Sequence, residues 1–173
     1  VCSSDLCMQL DFTNLLNSSD DVINVDYVMN ADDFMYDTYK PLKNGVRVNG
    51  RAYQKVGVVH LDLDVDFDFF GVCDRCMDDI ERKYGFSLKK IIVSKMENEN
   101  DDYDDYIVVE NNVLDLDALI NEEIQLFLPI KMLCKEDCKG LCQGCGKNLN
   151  YEKCECEKEV DPRLAALSDL LID

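Results

Sequence analysis

Residues Val58–Phe70 read VVHLDLDVDFDFF, and apolar and polar side chains alternate along almost the whole stretch. A period of two is typical of a β-strand that buries one face and exposes the other. The buried face is predicted to carry Leu61, Leu63, Val65, Phe67 and Phe69, and the exposed face His60, Asp62, Asp64, Asp66 and Asp68. The stretch therefore predicts a sheet whose outer surface is acidic.

Neighbouring segments predict the other strands of this sheet. Val22–Val28 alternates in the same way. Val46–Val48 runs into Asn49-Gly50, and this pair predicts a tight hairpin because it tolerates positive φ. A second alternating run, Tyr84–Leu88, follows the long strand. Residues Cys73–Cys76 are therefore predicted to lie in the turn between two strands.

Three segments have helical spacing. Asp11–Asn17 predicts a short helix, and Asp115–Leu128 predicts a longer one that Asp115 or Asp117 caps and Pro129 ends. Asp161-Pro162 is a typical helix start and precedes a leucine stripe. The predicted fold class is α+β, with an antiparallel sheet that curls toward a barrel as one alternative.

The chain of 173 residues fits one domain with a small appendage. We expect residues 1–7 to be a tail, residues 8–133 an α+β core domain, and residues 134–173 a cysteine-rich zinc-binding segment with a C-terminal helix packed on that core. Residues 97–105 hold six acids and no base, which predicts a mobile loop. No apolar run approaches the ~20 residues of a membrane span, so we expect a cytoplasmic protein.

The charge limits the choice of partner. The formal net charge is -18, from 36 acidic and 18 basic residues. Nucleic-acid affinity comes mostly from Lys and Arg on phosphates, so a chain this acidic is poorly suited to bind bare RNA. It suits a basic partner such as a ribosomal protein or assembly factor.

Cysteines carry the strongest chemical signal. Six of the ten lie between Cys134 and Cys156, and Cys73-x-x-Cys76 adds a pair. Paired spacing in a reducing compartment favours metal over disulfides. Zinc prefers four thiolate or imidazole ligands in a tetrahedron, and the lone His60 lies in a strand, so thiolates are the predicted ligands.

The spacing suggests how the eight cysteines divide. The knuckle Cys142-Gln-Gly-Cys145-Gly146 has glycines that let backbone N–H groups turn toward the sulfurs. One predicted zinc site combines this knuckle with two later cysteines, and the second combines two separate pairs. The first site would hold Cys142, Cys145, Cys154 and Cys156, and the second Cys73, Cys76, Cys134 and Cys138. The Cys154-x-Cys156 spacing is tighter than the usual pair, so a different division of the ligands stays open, as does the choice between one and two structural zinc ions.

Iron–sulfur, thiol redox and catalytic chemistry fit the sequence less well than structural zinc. Cys138-x3-Cys142-x2-Cys145 has the cluster spacing of radical-SAM enzymes, but only 28 residues follow Cys145, too few for their barrel. The CxxC pair has no thioredoxin-like βαβ context.

No catalytic triad, phosphate loop or catalytic carboxylate pair is visible, and a closed four-thiolate zinc site leaves no open position. The sequence therefore predicts no enzyme, no catalytic residue and no small-molecule substrate.

Four motifs in order resemble the YceD family, the large ribosomal RNA subunit accumulation proteins. They are Cys73-Asp-Arg-Cys76, Leu126-Phe-Leu-Pro129, Cys138-Lys-Gly-Leu-Cys142-Gln-Gly-Cys145-Gly-Lys-Asn-Leu-Asn150 and Asp161-Pro-Arg-Leu-Ala-Ala-Leu167. The resemblance implies a bacterial or plastid protein of ribosome biogenesis that is not an enzyme and supports the accumulation or processing of large-subunit ribosomal RNA.

The residue patterns and the family resemblance together predict an acidic protein that is stabilised by structural zinc and binds a basic ribosomal protein or assembly factor. The alternative function is direct binding of ribosomal RNA through lysines that lie among the cysteines in sequence. These are Lys135, Lys139, Lys147 and Lys153. A third class, a thiol redox or metal-transfer protein, would need reactive thiols.

Overall fold

A computed structural model describes residues 8–17, 21–93 and 106–156. The chain divides into two compact units. The sheet unit consists of Val1–Gly71 and Ile80–Ile130, and the cysteine unit consists of Val72–Asp79 and Lys131–Asp173. The cysteine unit is thus assembled from two pieces of chain that are distant in sequence.

Seven strands are described, and five of them form one sheet in the order β2-β3-β4-β5-β6. The β2–β3 and β3–β4 pairs are antiparallel, β5–β6 is parallel, and β1 pairs antiparallel with β7 in a separate two-stranded sheet. The strand bounds are β1 Gln9–Asp11, β2 Val22–Met29, β3 Val46–Lys55, β4 Val58–Val72, β5 Asp79–Val93, β6 Tyr106–Val108 and β7 Val113–Asp115.

The α+β class with a mostly antiparallel sheet is confirmed, but the barrel-like alternative is wrong. Within the described ranges the sheet is open, with β2 at one edge and β6 at the other. The strand β6 is only three residues long and joins the sheet parallel to β5. The sheet therefore ends on that side instead of closing onto β2.

The alternation in β4 has the predicted consequence. Every apolar residue of its predicted inward face is at most 4% exposed. Burying one such side chain contributes about 1.5–3 kcal/mol, so the inward face of β4 stabilises the core. β4 is also the middle strand of the five-stranded sheet. The buried residues of this face are Leu61, Leu63, Val65, Phe67 and Phe69.

The hairpin predicted at Asn49-Gly50 is wrong. Strand β3 passes straight through this pair, and the chain turns instead at Val56-Gly57, where φ is 54° and 79°. A Cβ on Gly50 would overlap the carbonyl oxygen of Asp62 on β4. Glycine stands at this position because the neighbouring strand is close, not because the backbone turns.

Two helices are described in the sheet unit, α1 Thr13–Asn17 and α2 Leu116–Phe127. The Asp115 carboxylate caps α2 by accepting from the Ala118 N–H at 3.1 Å, as one of the two predicted caps. Leu116, Ile120 and Ile124 form the buried stripe of α2. No helix within the described ranges is long and apolar enough to cross a membrane.

Three predicted features lie outside the described residues. They are the tail at residues 1–7, the acidic loop at residues 97–105 and the helix that begins at Asp161.

Candidate metal centres

The eight cysteines of the predicted sites lie in two groups of four, both within the cysteine unit. In each group the four sulfurs lie within 4.8 Å of one another, so each group could hold a metal ion. This grouping is the one expected from the spacing, while metal binding itself stays a prediction. We call Cys73, Cys76, Cys134 and Cys138 the inner cluster, and Cys142, Cys145, Cys154 and Cys156 the outer cluster.

The inner cluster is held by hydrogen bonds between the two pieces of the cysteine unit. The Asp74 N–H donates to the Met132 carbonyl at 2.9 Å, and the Met132 N–H donates to the Asp74 carboxylate at 2.6 Å. The Arg75 guanidinium donates to the Cys138 carbonyl at 2.9 Å. The CxxC turn itself closes with the Met77 N–H on the Cys73 carbonyl at 2.9 Å. The two cysteine pairs are therefore brought together by backbone and side-chain bonds independent of any ion.

The sulfur separations suit a tetrahedral ion. Four sulfurs at about 2.3 Å from one zinc lie about 3.8 Å apart. In the inner cluster Cys73 and Cys138 are 3.8 Å apart, and Cys76 and Cys134 are 3.5 Å apart. A disulfide would need about 2.05 Å, and none of the eight described cysteines forms one.

The outer cluster is built on the predicted glycine knuckle. The Gly146 N–H donates to the Cys142 carbonyl at 2.9 Å, and the Cys142 N–H donates to the Lys147 carbonyl at 2.8 Å. Gly146 has φ +72°, a conformation that side chains rarely adopt. The Cys154 sulfur lies 3.2 Å from that of Cys142 and 3.5 Å from that of Cys145.

Burial separates the two clusters. Three sulfurs of the inner cluster belong to residues that are at most 3% exposed, namely Cys73, Cys76 and Cys138. In the outer cluster, Cys145 and Cys156 are exposed. An ion in the inner cluster would be shielded from solvent, whereas one in the outer cluster would lie near the surface.

Backbone N–H groups favour the thiolate of Cys73 in the inner cluster and of Cys142 in the outer cluster. At Cys73, burial opposes ionisation, but the N–H groups of Cys134, Arg75 and Cys76 outweigh it and lower the pKa to about 6. At Cys142, the N–H of Cys145, the Cys154 thiol and the Gly144 N–H lower the pKa to about 6. In the inner cluster the hydrogen bond from the Asn150 amide also lowers the pKa of Cys138. Each cluster thus has at least one sulfur that forms a thiolate readily.

In each cluster another thiol has a raised pKa, Cys76 in the inner cluster and Cys156 in the outer cluster. Burial raises the pKa of Cys76, and hydrogen bonds to Cys154 and Cys145 raise that of Cys156 to about 12. A second thiolate next to the first is disfavoured because the two charges repel. A divalent cation removes this repulsion, so the charge pattern of each cluster favours a cation over four free thiols.

Two asparagines adjoin the inner cluster, and sequence reasoning did not identify them as site residues. The Asn150 amide donates to the Cys138 sulfur at 3.3 Å and to the Asn148 side-chain oxygen at 2.9 Å. The Asn148 amide donates to both oxygens of Asp78, at 3.0 and 3.1 Å. The Asp78 carboxylate in turn accepts from the Cys76 thiol at 3.2 Å. The available signal was their position in the Asn-Leu-Asn end of the third family motif.

The radical-SAM spacing does not correspond to one site. Cys138 lies in the inner cluster, while Cys142 and Cys145 lie in the outer cluster. The three cysteines of that motif therefore do not converge on a single cluster.

The acidic face of β4 lies where it was predicted, in the sheet unit, but basic side chains adjoin it. Arg51 lies opposite Asp62 and Arg47 opposite Asp66 in the β3–β4 register. Two further aspartates of this face have polar partners from neighbouring segments. Ser87 donates to Asp64 at 2.6 Å, and Asn44 donates to Asp68 at 3.0 Å. The sheet itself thus compensates part of the like-charge repulsion, although Asp64 and Asp66 stay exposed.

The single histidine is a strand-face residue, as expected. The His60 ring stacks on Tyr53 of β3 at 5.4 Å between centroids. It belongs to the sheet unit and is in neither cysteine cluster.

Comparisons with known proteins agree with the resemblance seen in the motifs. The family described as "Large ribosomal RNA subunit accumulation protein YceD" matches residues 61–171. The uncharacterized protein YlbN of Bacillus subtilis is 34% identical over 128 residues, which are 73% of this chain and 74% of that protein. The uncharacterized protein Rv2926c of Mycobacterium tuberculosis is 29% identical over 103 residues, 58% of this chain and 50% of that protein.

A plant relative has a name that states a role. "Large ribosomal RNA subunit accumulation protein YCED homolog 1, chloroplastic" of Arabidopsis thaliana is 39% identical over 46 residues, 27% of this chain and 14% of that protein. No solved structure shows significant similarity to the chain. The family match covers more than half of the chain and includes both cysteine clusters, and the chain therefore belongs to the YceD family.

Proposed function

We propose that this chain is a non-enzymatic factor of ribosome biogenesis in the cytoplasm that supports the accumulation of large-subunit ribosomal RNA. The family match over residues 61–171 is the observation that carries the proposal. The name of the Arabidopsis relative, which refers to accumulation of large-subunit ribosomal RNA, supports it. A deletion strain should contain less large-subunit ribosomal RNA relative to small-subunit RNA, and the intact gene should restore it. An unchanged ratio in the deletion strain would contradict the role.

The same proposal assigns a structural zinc ion to each cysteine cluster. Four thiolates close the coordination shell, so neither ion has an open position for substrate. The inner ion would link Val72–Asp79 to the chain after Lys131, and its binding free energy would add to the stability of the cysteine unit. Elemental analysis of protein purified without added metal should find two zinc ions per chain. Purified protein that holds iron, or no metal, would contradict the assignment.

The proposed partner is a basic ribosomal protein or assembly factor. The net charge of -18 favours a basic surface over bare RNA. Asp64 and Asp66 are exposed at the centre of β4 and are accessible to such a partner. Arg47 lies opposite Asp66 and offsets part of this charge, and Ser87 donates a hydrogen bond to Asp64. The net charge of the whole chain therefore supports this partner more strongly than these two aspartates alone.

A pull-down tests the partner. Asp64→Asn with Asp66→Asn should weaken recovery of the basic protein, because two charges are removed from the exposed face of β4. The matched control is Asp32→Asn with Asp33→Asn, which removes the same charge from an exposed loop of the sheet unit. Equal losses in both variants would show that net charge, not this face, attracts the partner. Recovery of naked ribosomal RNA without a basic protein would contradict the proposed partner.

Direct RNA binding is the second candidate, and one observation favours it. Lys135, Lys139, Lys147 and Lys153 are all exposed on the cysteine unit. Lys147 already pairs with Glu152 at 3.3 Å, whereas the other three lysines form no ion pair with another described residue. If these lysines contact phosphates, RNA affinity should fall steeply with salt, and each substitution by Gln should reduce the salt slope by about 1.

A thiol redox or metal-transfer role is the third candidate, and the exposure of Cys145 and Cys156 favours it over a wholly closed pair of sites. Such a role would require the outer ion to leave during function. Restoration of ribosomal RNA levels by a chain whose outer cluster is replaced by serines would contradict it.

A further inference from the structure

We propose that Asn148 and Asn150 are positioning residues of the inner cluster, and that through them the inner and outer clusters bind their ions cooperatively. This inference rests on the metal occupancy proposed above. It assigns a role to two side chains that neither the metal chemistry nor the ribosomal role had used.

The first step is the direct contact with a ligand sulfur. The Asn150 amide N–H lies 3.3 Å from the Cys138 sulfur. The oxygen of the same side chain accepts from the Lys139 N–H at 2.9 Å, so the amide is held at both of its ends. Cys138 thus receives a side-chain N–H from Asn150, whereas Cys73 receives a backbone N–H from Cys134. A neutral donor here spreads the charge of a metal-bound thiolate and fixes the direction of its lone pairs.

The second step reaches the other half of the inner cluster. Asn150 donates to the Asn148 oxygen at 2.9 Å, and the Asn148 amide donates to both oxygens of Asp78. Asp78 lies 3.2 Å from the Cys76 sulfur. One chain of hydrogen bonds therefore runs from Cys138 through two amides and a carboxylate to Cys76. It spans the two cysteine pairs that an inner ion would join.

The third step is the place of these amides in the chain. Both lie in the loop between Cys145 and Cys154, whose ends are ligands of the outer cluster. The loop returns toward the inner cluster through the Leu149 N–H on the Gly140 carbonyl at 2.9 Å. It is also paired through the Leu141–Asn148 bridge. An ion in the outer cluster would fix both ends of this loop and so lower the entropy cost of placing Asn150 on Cys138.

Linkage makes the effect reciprocal. If an outer ion strengthens binding at the inner cluster, an inner ion strengthens binding at the outer cluster by the same factor. Loss of a hydrogen-bond partner of a metal ligand typically weakens metal binding about 10- to 100-fold. Coupling between two sites typically amounts to a factor of about 5–150.

The experiment is a zinc-buffered titration of the full chain with thiol alkylation, read by peptide mass spectrometry. Protection of Cys73 and Cys76 reports the inner cluster, and protection of Cys145 and Cys156 reports the outer cluster. Asn150→Ala should shift inner protection to about 10- to 100-fold higher free zinc. Asn150→Asp has nearly the same shape but places a carboxylate charge beside the Cys138 sulfur, so it should shift inner protection to still higher free zinc. A merely structural role would tolerate Asn150→Asp better than Asn150→Ala.

Asn24→Ala is the matched control, because it makes the same substitution at an exposed asparagine of β2, in the sheet unit and in neither cluster. It should leave inner protection unchanged. Replacing the four outer cysteines by serine should also weaken the inner cluster, by at least about 5-fold. Adding Asn150→Ala to that chain should then cost less than it does alone, because the outer ion can no longer help to position the amide.

Three failing outcomes have different meanings. If zinc protects Cys73 and Cys76 equally in the wild type, Asn150→Ala and Asn150→Asp, the positioning role is wrong and the structural zinc stands. If zinc does not protect them even in the wild type, the proposed inner zinc is wrong and the inference falls with it. Additive effects of Asn150→Ala and the outer serines would overturn the coupling alone.

Discussion

Gly50 lies directly opposite Leu63 in the β3–β4 ladder, in the middle of both strands. A Cβ at Gly50 would come within 2.8 Å of the Leu63 Cα and 2.9 Å of its Cδ2. It would also overlap the carbonyl oxygen of Asp62. Because two of these three contacts are backbone atoms, no side-chain rotation can relieve them, and only glycine fits the sheet at this point.

We therefore expect Gly50→Ala to lower the free energy of unfolding by about 1–3 kcal/mol, in the range of overpacked cores. Urea unfolding followed by circular dichroism measures it. Gly57→Asn is the control, since Gly57 has open space around it and asparagine tolerates its φ of +79°. Equal stability of Gly50→Ala and wild type would show that β3 can move away from β4.

The error at Asn49-Gly50 shows what the sequence lacks. Asparagine followed by glycine fits a tight turn, but the same glycine also fits a close strand contact, and only the position of Leu63 on β4 decides between them. The real turn begins with Val56 at φ 54°, a β-branched residue that favours extended structure. Local propensity therefore pointed away from the true turn. The alternation of β4 was predictable because it depends on burial alone.

Helix α2 offers a test of its cap. Asp115→Ala should cost about 1 kcal/mol of stability, because the Ala118 N–H loses its acceptor. Asp115→Asn should be nearly neutral, since asparagine caps as well as aspartate. Thermal unfolding of the two variants side by side measures the difference. Equal destabilisation by both would mean that the charge, not the hydrogen bond, stabilises this end of the helix.

A half-buried ion pair joins β5 to α2 in the sheet unit. Lys90 and Glu123 are 2.8 Å apart, and their side chains are only 15% and 20% exposed. A double-mutant cycle with Lys90→Met and Glu123→Gln should give a coupling energy of about 1 kcal/mol or more, above most exposed pairs. The coupling should change little with salt, because burial limits screening.

The exposed pair Lys40–Asp33 is the comparison for this cycle. Its atoms are 3.6 Å apart, and its side chains are 57% and 109% exposed. Its coupling energy should be about 0.2–0.5 kcal/mol and should vanish in high salt. Equal coupling in the two pairs would show that burial does not strengthen the Lys90–Glu123 pair.

The candidate site could be predicted only in part. Cysteine spacing suggested one division of the eight thiols into two groups, but the tight Cys154-x-Cys156 pair left other divisions open, and only the sulfur positions in the fold decide between them. Asn148 and Asn150 had no comparable signal. Polar residues in a loop follow no period, and their role depends on hydrogen bonds to Cys138 and Asp78 that form only in three dimensions.

Metal removal should separate the clusters by burial. A chelator present at limiting concentration should expose Cys145 and Cys156 to alkylation before Cys73 and Cys138, because the outer sulfurs are at the surface and the inner ones are buried. At saturating zinc, Cys156→Ser should lower the zinc content by one ion while the thiols of the inner cluster stay protected. At limiting zinc, protection of the inner thiols should need at least about 5-fold more free zinc than in the wild type. Cys138→Ser should expose Cys73 and lower the stability of the cysteine unit, since it removes the ion that would join its two pieces. Alkylation of Cys73 and Cys145 at equal rates during chelation would show that the two ions leave together and that burial does not set their order.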